Sequence, residues 1–263
     1  MKIVALYFTI LVLAVVMALV GRGGGNFYVP VLIAAGTSMN VAATSAQLIL
    51  MVTAFAATFV FHAHKSIDWK LALVIDPPTD IMAFIGGYFA HNFLGHYLKL
   101  LFAALLVIAA FFMLRPVKDH IGNGQKRFGY WNRSFGGYDY RVNLWMAMPI
   151  SALVGLFAGM IGISGGSFKI PLMVLACGVP MRIAIGTSSA MVFVTALMGF
   201  IGHTIAGDFN PSWTVPLACI AGLGGLIGGK ISVKTQPRHL KSIFAYTTLA
   251  AAVFMAVNAF MTR

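Results

Sequence analysis

Glutamate is absent from this chain: all six acidic residues are aspartates, and charged residues of every kind occupy only 9% of its 263 positions. A water-facing globule of that length needs far more polar side chains to cover its surface. Cysteine is nearly missing too, and Cys177 and Cys219 both sit in apolar runs, which excludes a disulfide framework. No set of histidine, cysteine and aspartate has metal-ligand spacing, no triad-like set stands out, and no glycine stretch continues into the Gly-Lys-Ser/Thr of a phosphate loop. The reading therefore expects no cofactor, no metal and no enzymatic activity. The ten-residue alternation of a transmembrane barrel is lacking as well.

What fills the chain instead is apolar residue, 60% of it, with a mean hydropathy of +0.90. Lipid offers no partners to backbone amides, so long apolar runs with few charges read as helices of an all-α integral membrane protein. The net charge of +12 does not point to nucleic acid, because the 18 lysines and arginines collect between the apolar runs instead of forming one aromatic-rich basic domain. That is the positive-inside pattern of a bilayer protein. Residues 3–20 have the look of a signal peptide behind Lys2, yet the same kind of element returns in mid-chain, so it reads as part of the fold.

The chain repeats itself. Gly21-Arg22-Gly23-Gly24-Gly25-Asn26-Phe27-Tyr28-Val29-Pro30 has a counterpart in Gly162-Ile163-Ser164-Gly165-Gly166-Ser167-Phe168-Lys169-Ile170-Pro171, with Gly24 and Gly165 141 positions apart. Thr44-Ser45 answers Thr187-Ser188, Gly86-Gly87 answers Gly228-Gly229, and His62 answers His203 at nearly the same spacing. Two copies of one unit follow, a first transmembrane repeat over 1–114 and a second over 142–263, joined by a basic linker over 115–141. Apolar segments fall near 3–20, 26–36, 41–63, 70–90 and 97–114, then near 144–161, 167–177, 182–203, 212–230 and 241–261.

The second segment of each half is only about eleven residues, roughly 16 Å of helix, or half the hydrocarbon thickness. Each reads as a half-helix after a glycine-rich break. Five passes per half invert the second copy and put the basic linkers 62–70, 115–141 and 230–241 on one side, the cytoplasm. Four passes per half would place the last of them outside, so the inverted five-plus-five arrangement is preferred.

Candidate site residues cluster at the breaks. A short helix after a glycine pair leaves its first N–H groups free, and its dipole favours an anion there. Gly24, Gly25, Gly165 and Gly166 allow close approach to backbone, and Asn26 and Ser167 stand where a cap or a ligand contact would be. The competing reading is close packing of small residues between helices. Thr44, Ser45, Thr187 and Ser188 read as opening the third segment of each half, with hydroxyls and amides suited to an oxyanion or to plain capping; Gln47 lies one turn on.

Arg22, Lys169 and Arg182 are cations near breaks, and Arg22 joins the substrate-binding set; snorkelling to the interface is the alternative, above all for Lys169 and Arg182. Asp76-Pro77-Pro78-Thr79-Asp80 breaks a further span in the first half only. Its aspartates are candidates to pair with Arg22 or to carry a coupling proton, beside the plainer reading of a capped kink. His62 and His203 read as interfacial. Cys177 near the cavity admits thiol chemistry, though free cysteine is usually a small buried apolar residue.

The duplicated glycine motifs, each followed by Thr-Ser, resemble the TauE/SafE sulfite-exporter permeases, also called the toluene sulfonate uptake permease family. The resemblance implies a two-repeat helical permease of the bacterial or archaeal inner membrane that moves sulfite, sulfonates or related organosulfur anions. It covers nearly the whole chain. The expected function is a secondary anion transporter working by alternating access, with a small anion and the lipid bilayer as partners and a homodimer as a possible assembly. The rivals are an ion channel or cation carrier, which would need intramembrane carboxylates; a membrane-embedded enzyme or sulfur-relay subunit, which would rest on Cys177 or the histidines; and a non-transporting partner subunit docking through the basic linker.

Overall fold

The computed structural model describes residues 2–90, 128–161, 165–205 and 209–261, with the single positions 104, 107 and 111. Apart from those three positions the expected span 97–114 lies outside the described residues, as do Arg115, Lys118, Asp119, Lys126 and Arg127 of the linker.

The protein is mostly helical. In the first half, α1 (Lys2–Leu19) leads to α2 (Gly25–Ala34), α3 (Met39–Ala63), α4 (Trp69–Ile75) and α5 (Pro77–Phe89). In the second, α6 (Leu144–Ile161) leads to α7 (Gly166–Pro171), whose last turn continues as a π turn through Leu172–Ala176. Three long helices follow: α8 (Met181–Ile205), α9 (Pro211–Lys234) and α10 (Pro237–Met261). Local chemistry sets the boundaries. Gly24 precedes α2 with φ 99°, a left-handed conformation that suits glycine. Asp68 caps α4 by accepting from the N–H groups of Lys70 and Leu71 at 3.1 and 3.2 Å, and Asn210 caps α9 from Ser212 at 3.2 Å. Pro77 and Pro78 start α5 because the first turn needs no donor there. The expected span 70–90 is thus two helices hinged at Asp76.

The linker departs from the all-α expectation. Tyr130–Phe135 (β1) and Tyr138–Asn143 (β2) form an antiparallel hairpin in which Phe135 faces Tyr138, and Gly136 and Gly137 turn the chain at φ 60° and 82°. Tyr140 and Val142 are buried against Cys177, Val179 and Ile183. A stretch read as connector therefore packs as part of the body.

Four described helices, at Asn40–Ala63, Leu144–Ile161, Met181–Ile205 and Pro211–Lys234, are long and apolar enough to cross a membrane. The packing interlocks the two halves. α3 lies between α8 and α9, α1 packs on α9, and α5 packs on α6 and α8. Exchange of the halves preserves this pattern, because α5 of the first half and α9 of the second each rest on the opposite half's first and third long helices. Glycine makes the approach possible. A Cβ on Gly86 would stand 2.2 Å from the Leu156 carbonyl oxygen of α6, and one on Gly87 would stand 2.8 Å from that of Gly199 of α8. Gly228 and Gly229 do the same against Val15 of α1, at 2.3 Å, and Val60 of α3, at 3.2 Å. The paired Gly-Gly motifs therefore hold equivalent interhelical contacts.

Candidate functional site

The two glycine-rich breaks meet. Arg22, in the first, is buried to 1% exposure and reaches the second: its Nε and Nη2 donate to the Ser167 hydroxyl at 3.0 and 2.6 Å. Its Nη1 donates to Thr248 at 2.8 Å and to Thr247 at 3.3 Å, both on α10, and the guanidinium lies over the Phe244 ring at 5.1 Å. The backbones touch as well. A Cβ on Gly166 would lie 3.1 Å from Arg22 Cα and 3.2 Å from the Gly21 carbonyl oxygen, which itself accepts from Ser188 at 3.0 Å. Gly166→Ala is accordingly expected to wedge the breaks apart and to weaken anion affinity several-fold, read by titration of the purified protein. An unchanged affinity would move the anion elsewhere.

Among the described residues no carboxylate pairs with Arg22; the ion pairs there are Arg133–Asp68 and Lys169–Asp76. That corrects the expected partnership of Asp76 or Asp80 with Arg22. Asp76, at the α4–α5 hinge, instead binds Lys169 of α7, which also donates to Thr195 Oγ1 of α8 at 2.7 Å. Thr195 in turn donates to Asp80 Oδ1, at 2.7 Å. Lys169 is 1% exposed, so it does not snorkel. Burial beside a carboxylate satisfies it where sequence pointed to the interface. Arg182 is exposed and donates to the Thr235 carbonyl at 3.3 Å.

The repeat extends into this network. Tyr28 stands in the first half where Lys169 stands in the second, and its hydroxyl meets Thr53 Oγ1 at 3.4 Å, as Lys169 meets Thr195. Thr53 donates to Ile49 and Thr195 to Met191, one turn back in each helix, at 2.7 and 2.9 Å. The same framework is neutral in one half and charged in the other.

The Thr-Ser pairs are buried but do not open helices, since α3 begins at Met39 and α8 at Met181. Their amides are spent inside the helix, which corrects the expected free N–H groups. Thr44 donates to Asn40 at 2.9 Å, and Ser45 meets Thr214 Oγ1 of α9 at 2.8 Å. Thr187 accepts from the Asp68 N–H at 3.0 Å. Of the four, Ser188 alone touches the junction of the breaks directly. Gln47 is buried against Gly199, and its Oε1 has no hydrogen-bond partner among the described residues. Gly24 and Gly25 begin α2 close to Arg22, and Gly165 lies beside Lys169 Cε, 3.3 Å from a built Cβ. Asn26 starts the first turn of α2. His62 is exposed and accepts from Trp69 at 3.2 Å, whereas His203 is buried with Nε2 2.9 Å from the Gly159 carbonyl oxygen, not interfacial as expected. Cys177 is buried in an apolar cluster with Met173 and Val179.

A second polar centre lies at the hairpin. Arg133 forks onto Asp68 through Nε at 2.8 Å and Nη2 at 3.0 Å, and the Tyr140 hydroxyl donates to the same carboxylate. Burial pushes the Asp68 carboxyl up, but hydrogen bonds from Arg133, Tyr140 and the Leu71 N–H, with the guanidinium charge, outweigh it and hold the group below the usual carboxylate range. A carboxyl depressed in the fold stabilises above its unfolded pKa of about 3.9 and loses that stabilisation as pH falls through its folded value. Asp68→Asn should therefore melt lower than the parent at pH 7, with the gap closing below about pH 4. A gap that persists into acid would show that this carboxylate is not the anchor.

Sequence reading missed Thr247 and Thr248, adjacent hydroxyls in an apolar helix, and the threonine pair at 53 and 195, which keeps the repeat spacing.

Comparison with known proteins agrees with this architecture. The family model described as "Sulfite exporter TauE/SafE" matches residues 6–255. The chain is 27% identical over 246 residues to the probable membrane transporter protein YunE of Bacillus subtilis, covering 89% of each chain. A probable membrane transporter protein of Xylella fastidiosa is 25% identical, with 91% of this chain and 89% of that one covered. Over 79 residues, 30% of this chain and 17% of the other, it is 35% identical to the sulfite exporter TauE/SafE family protein 5 of Arabidopsis thaliana. No solved structure matches. The chain belongs to the sulfite exporter TauE/SafE family, a family of membrane transporters.

Proposed function

We propose that the protein is a secondary transporter of small sulfur-containing anions, sulfite or a sulfonate, and that the anion binds at the junction of the two breaks. One observation carries this reading: Arg22 is buried there among hydroxyls, with no carboxylate beside it among the described residues. A buried cation without a counter-ion is costly in a membrane, and an arriving anion removes that cost. The hydroxyls of Ser167, Thr247, Thr248 and Ser188 surround the position; Thr247, Thr248 and Ser188 now donate to the backbone carbonyls of Ile243, Phe244 and Gly21 and can turn to oxyanion oxygens instead.

Alternating access follows as the mechanism. The repeat, the exchange-symmetric packing and the glycine contacts between halves support two units that rock about this junction in inverted orientation, with the 115–141 linker on the cytoplasmic side of an inner membrane. The name of the family supports the sulfur chemistry of the cargo. The test is a thermal-shift titration of purified protein with sulfite, thiosulfate and ethanesulfonate, beside chloride. Saturable stabilisation by a sulfur anion, lost in Arg22→Gln, supports the site. No shift with any of them, or an undiminished shift in the variant, contradicts it.

A further inference from the structure

We propose that the Lys169, Asp76, Asp80 and Thr195 network is the proton site of the transporter, and that one proton accompanies each monoanion. The inference rests on the anion site at Arg22 and adds the coupling ion to it. Lys169 occupies the place that Tyr28 holds in the other half, and the positions matching Asp76 and Asp80 at the repeat spacing, 218 and 222, are Ala218 and Gly222. The framework stands without the charges, as the Tyr28–Thr53 contact shows. Charge in one copy alone is thus no part of the framework that the two copies share.

Charge balance gives the stoichiometry. The charged groups at the two breaks and at the α4–α5 hinge beside them are the cations Arg22 and Lys169 and the carboxylates of Asp76 and Asp80, and with all four ionised they sum to zero. A bound monoanion leaves one negative charge in a low-dielectric setting, which is unfavourable. One proton on the aspartate pair restores neutrality. Asp76 binds Lys169, Asp80 binds Thr195, and Lys169 and Thr195 are themselves joined, so the two carboxylates titrate as one coupled group. Asp80 is half-buried and Asp76 buried, so a proton reaches Asp80 first; once protonated, Asp80 becomes the donor and Thr195 Oγ1 the acceptor, the reverse of the present bond, in which Thr195 donates to Asp80. His203 of α8 lies further along the same interface, beside Gly87 of α5, with its Nε2 on the Gly159 carbonyl oxygen. Releasing Asp76 on protonation frees Lys169, two residues from Ser167, to strengthen the field on the anion.

The experiment uses the full chain in proteoliposomes with a pH dye inside and labelled ethanesulfonate outside, an anion that stays ionised and cannot carry the proton itself. The wild type should acidify the lumen at about one proton per anion, carry no net current, and accumulate label under an inward proton gradient. Asp80→Asn, whose side chain touches only Thr195 in this network, should lose proton flux and gradient-driven accumulation at least tenfold while one-for-one exchange of label continues. Exchange without proton movement in the wild type, or gradient-driven accumulation retained in folded Asp80→Asn, overturns the proton site and leaves the anion site standing. Absence of exchange in the wild type overturns both.

Discussion

Arg22→Met is expected to abolish anion transport while leaving the protein folded. Hydrogen bonds to a charged group contribute about 3 kcal/mol at most, which corresponds to a loss of roughly a hundredfold in anion affinity. Uptake of labelled anion into proteoliposomes would read it. Stability should hold or rise, because the partners of Arg22 among the described residues are hydroxyls and the Phe244 ring, and its removal strands no carboxylate. Arg22→Lys keeps the charge but not the planar fork that reaches Ser167 and Thr248 at once, so it should recover a fraction of the activity. A stable, fully active Arg22→Met protein would remove the anion site.

Lys169→Met is expected to do the reverse, destabilising the protein severely. Breaking a buried pair by removing one partner costs about 3–5 kcal/mol, since Asp76 then remains charged and unpaired, and the melting temperature should fall on the order of ten degrees. Adding Asp76→Asn should restore most of that stability, as replacing both members of a buried pair often costs little. Differential scanning fluorimetry of the single and double variants checks both statements. A Lys169→Met protein as stable as the parent would mean that the pair is not formed in the folded protein. Two cations 1% exposed, one in the first break and one in the short helix after the second, thus make opposite predictions because only one has a carboxylate beside it.

Much of this was legible in the chain. The breaks at Gly21–Gly25 and Gly165–Gly166, the half-length α2 and α7, and the long helices at 41–63 and 182–203 follow from apolar runs and punctuation alone. The Gly86-Gly87 and Gly228-Gly229 echo also proved structural, with each pair seating on the other half. What periodicity does not carry is which distant side chains meet. Arg22 finds Thr248 226 positions away, and Lys169 finds Asp76 93 positions away. A helix pattern fixes the face a residue lies on, not the partner opposite.

Two other misreadings have local causes. Thr44 and Thr187 read as helix openings because polar residues interrupt apolar runs there, yet Ser38 and Pro180 are the residues just ahead of those helices, so the hydroxyls fall in the second turn. The hairpin escaped notice because its signal is short: a Gly-Gly turn between two six-residue strands rich in aromatics, set in a basic stretch. Its Arg133 and Tyr140 converge on Asp68, whose N–H also meets Thr187, so the linker is tied through one carboxylate to α4 and α8. Motion of one half against the other has to carry that tie along or break it.

The most direct measurement is uptake of labelled sulfite, thiosulfate and ethanesulfonate into proteoliposomes holding the purified wild-type protein, with protein-free vesicles as the baseline. Saturable uptake of at least one of these anions, competed by the others and not by chloride, is the predicted result. Vesicles with folded, correctly inserted protein that take up none of them above baseline would contradict it.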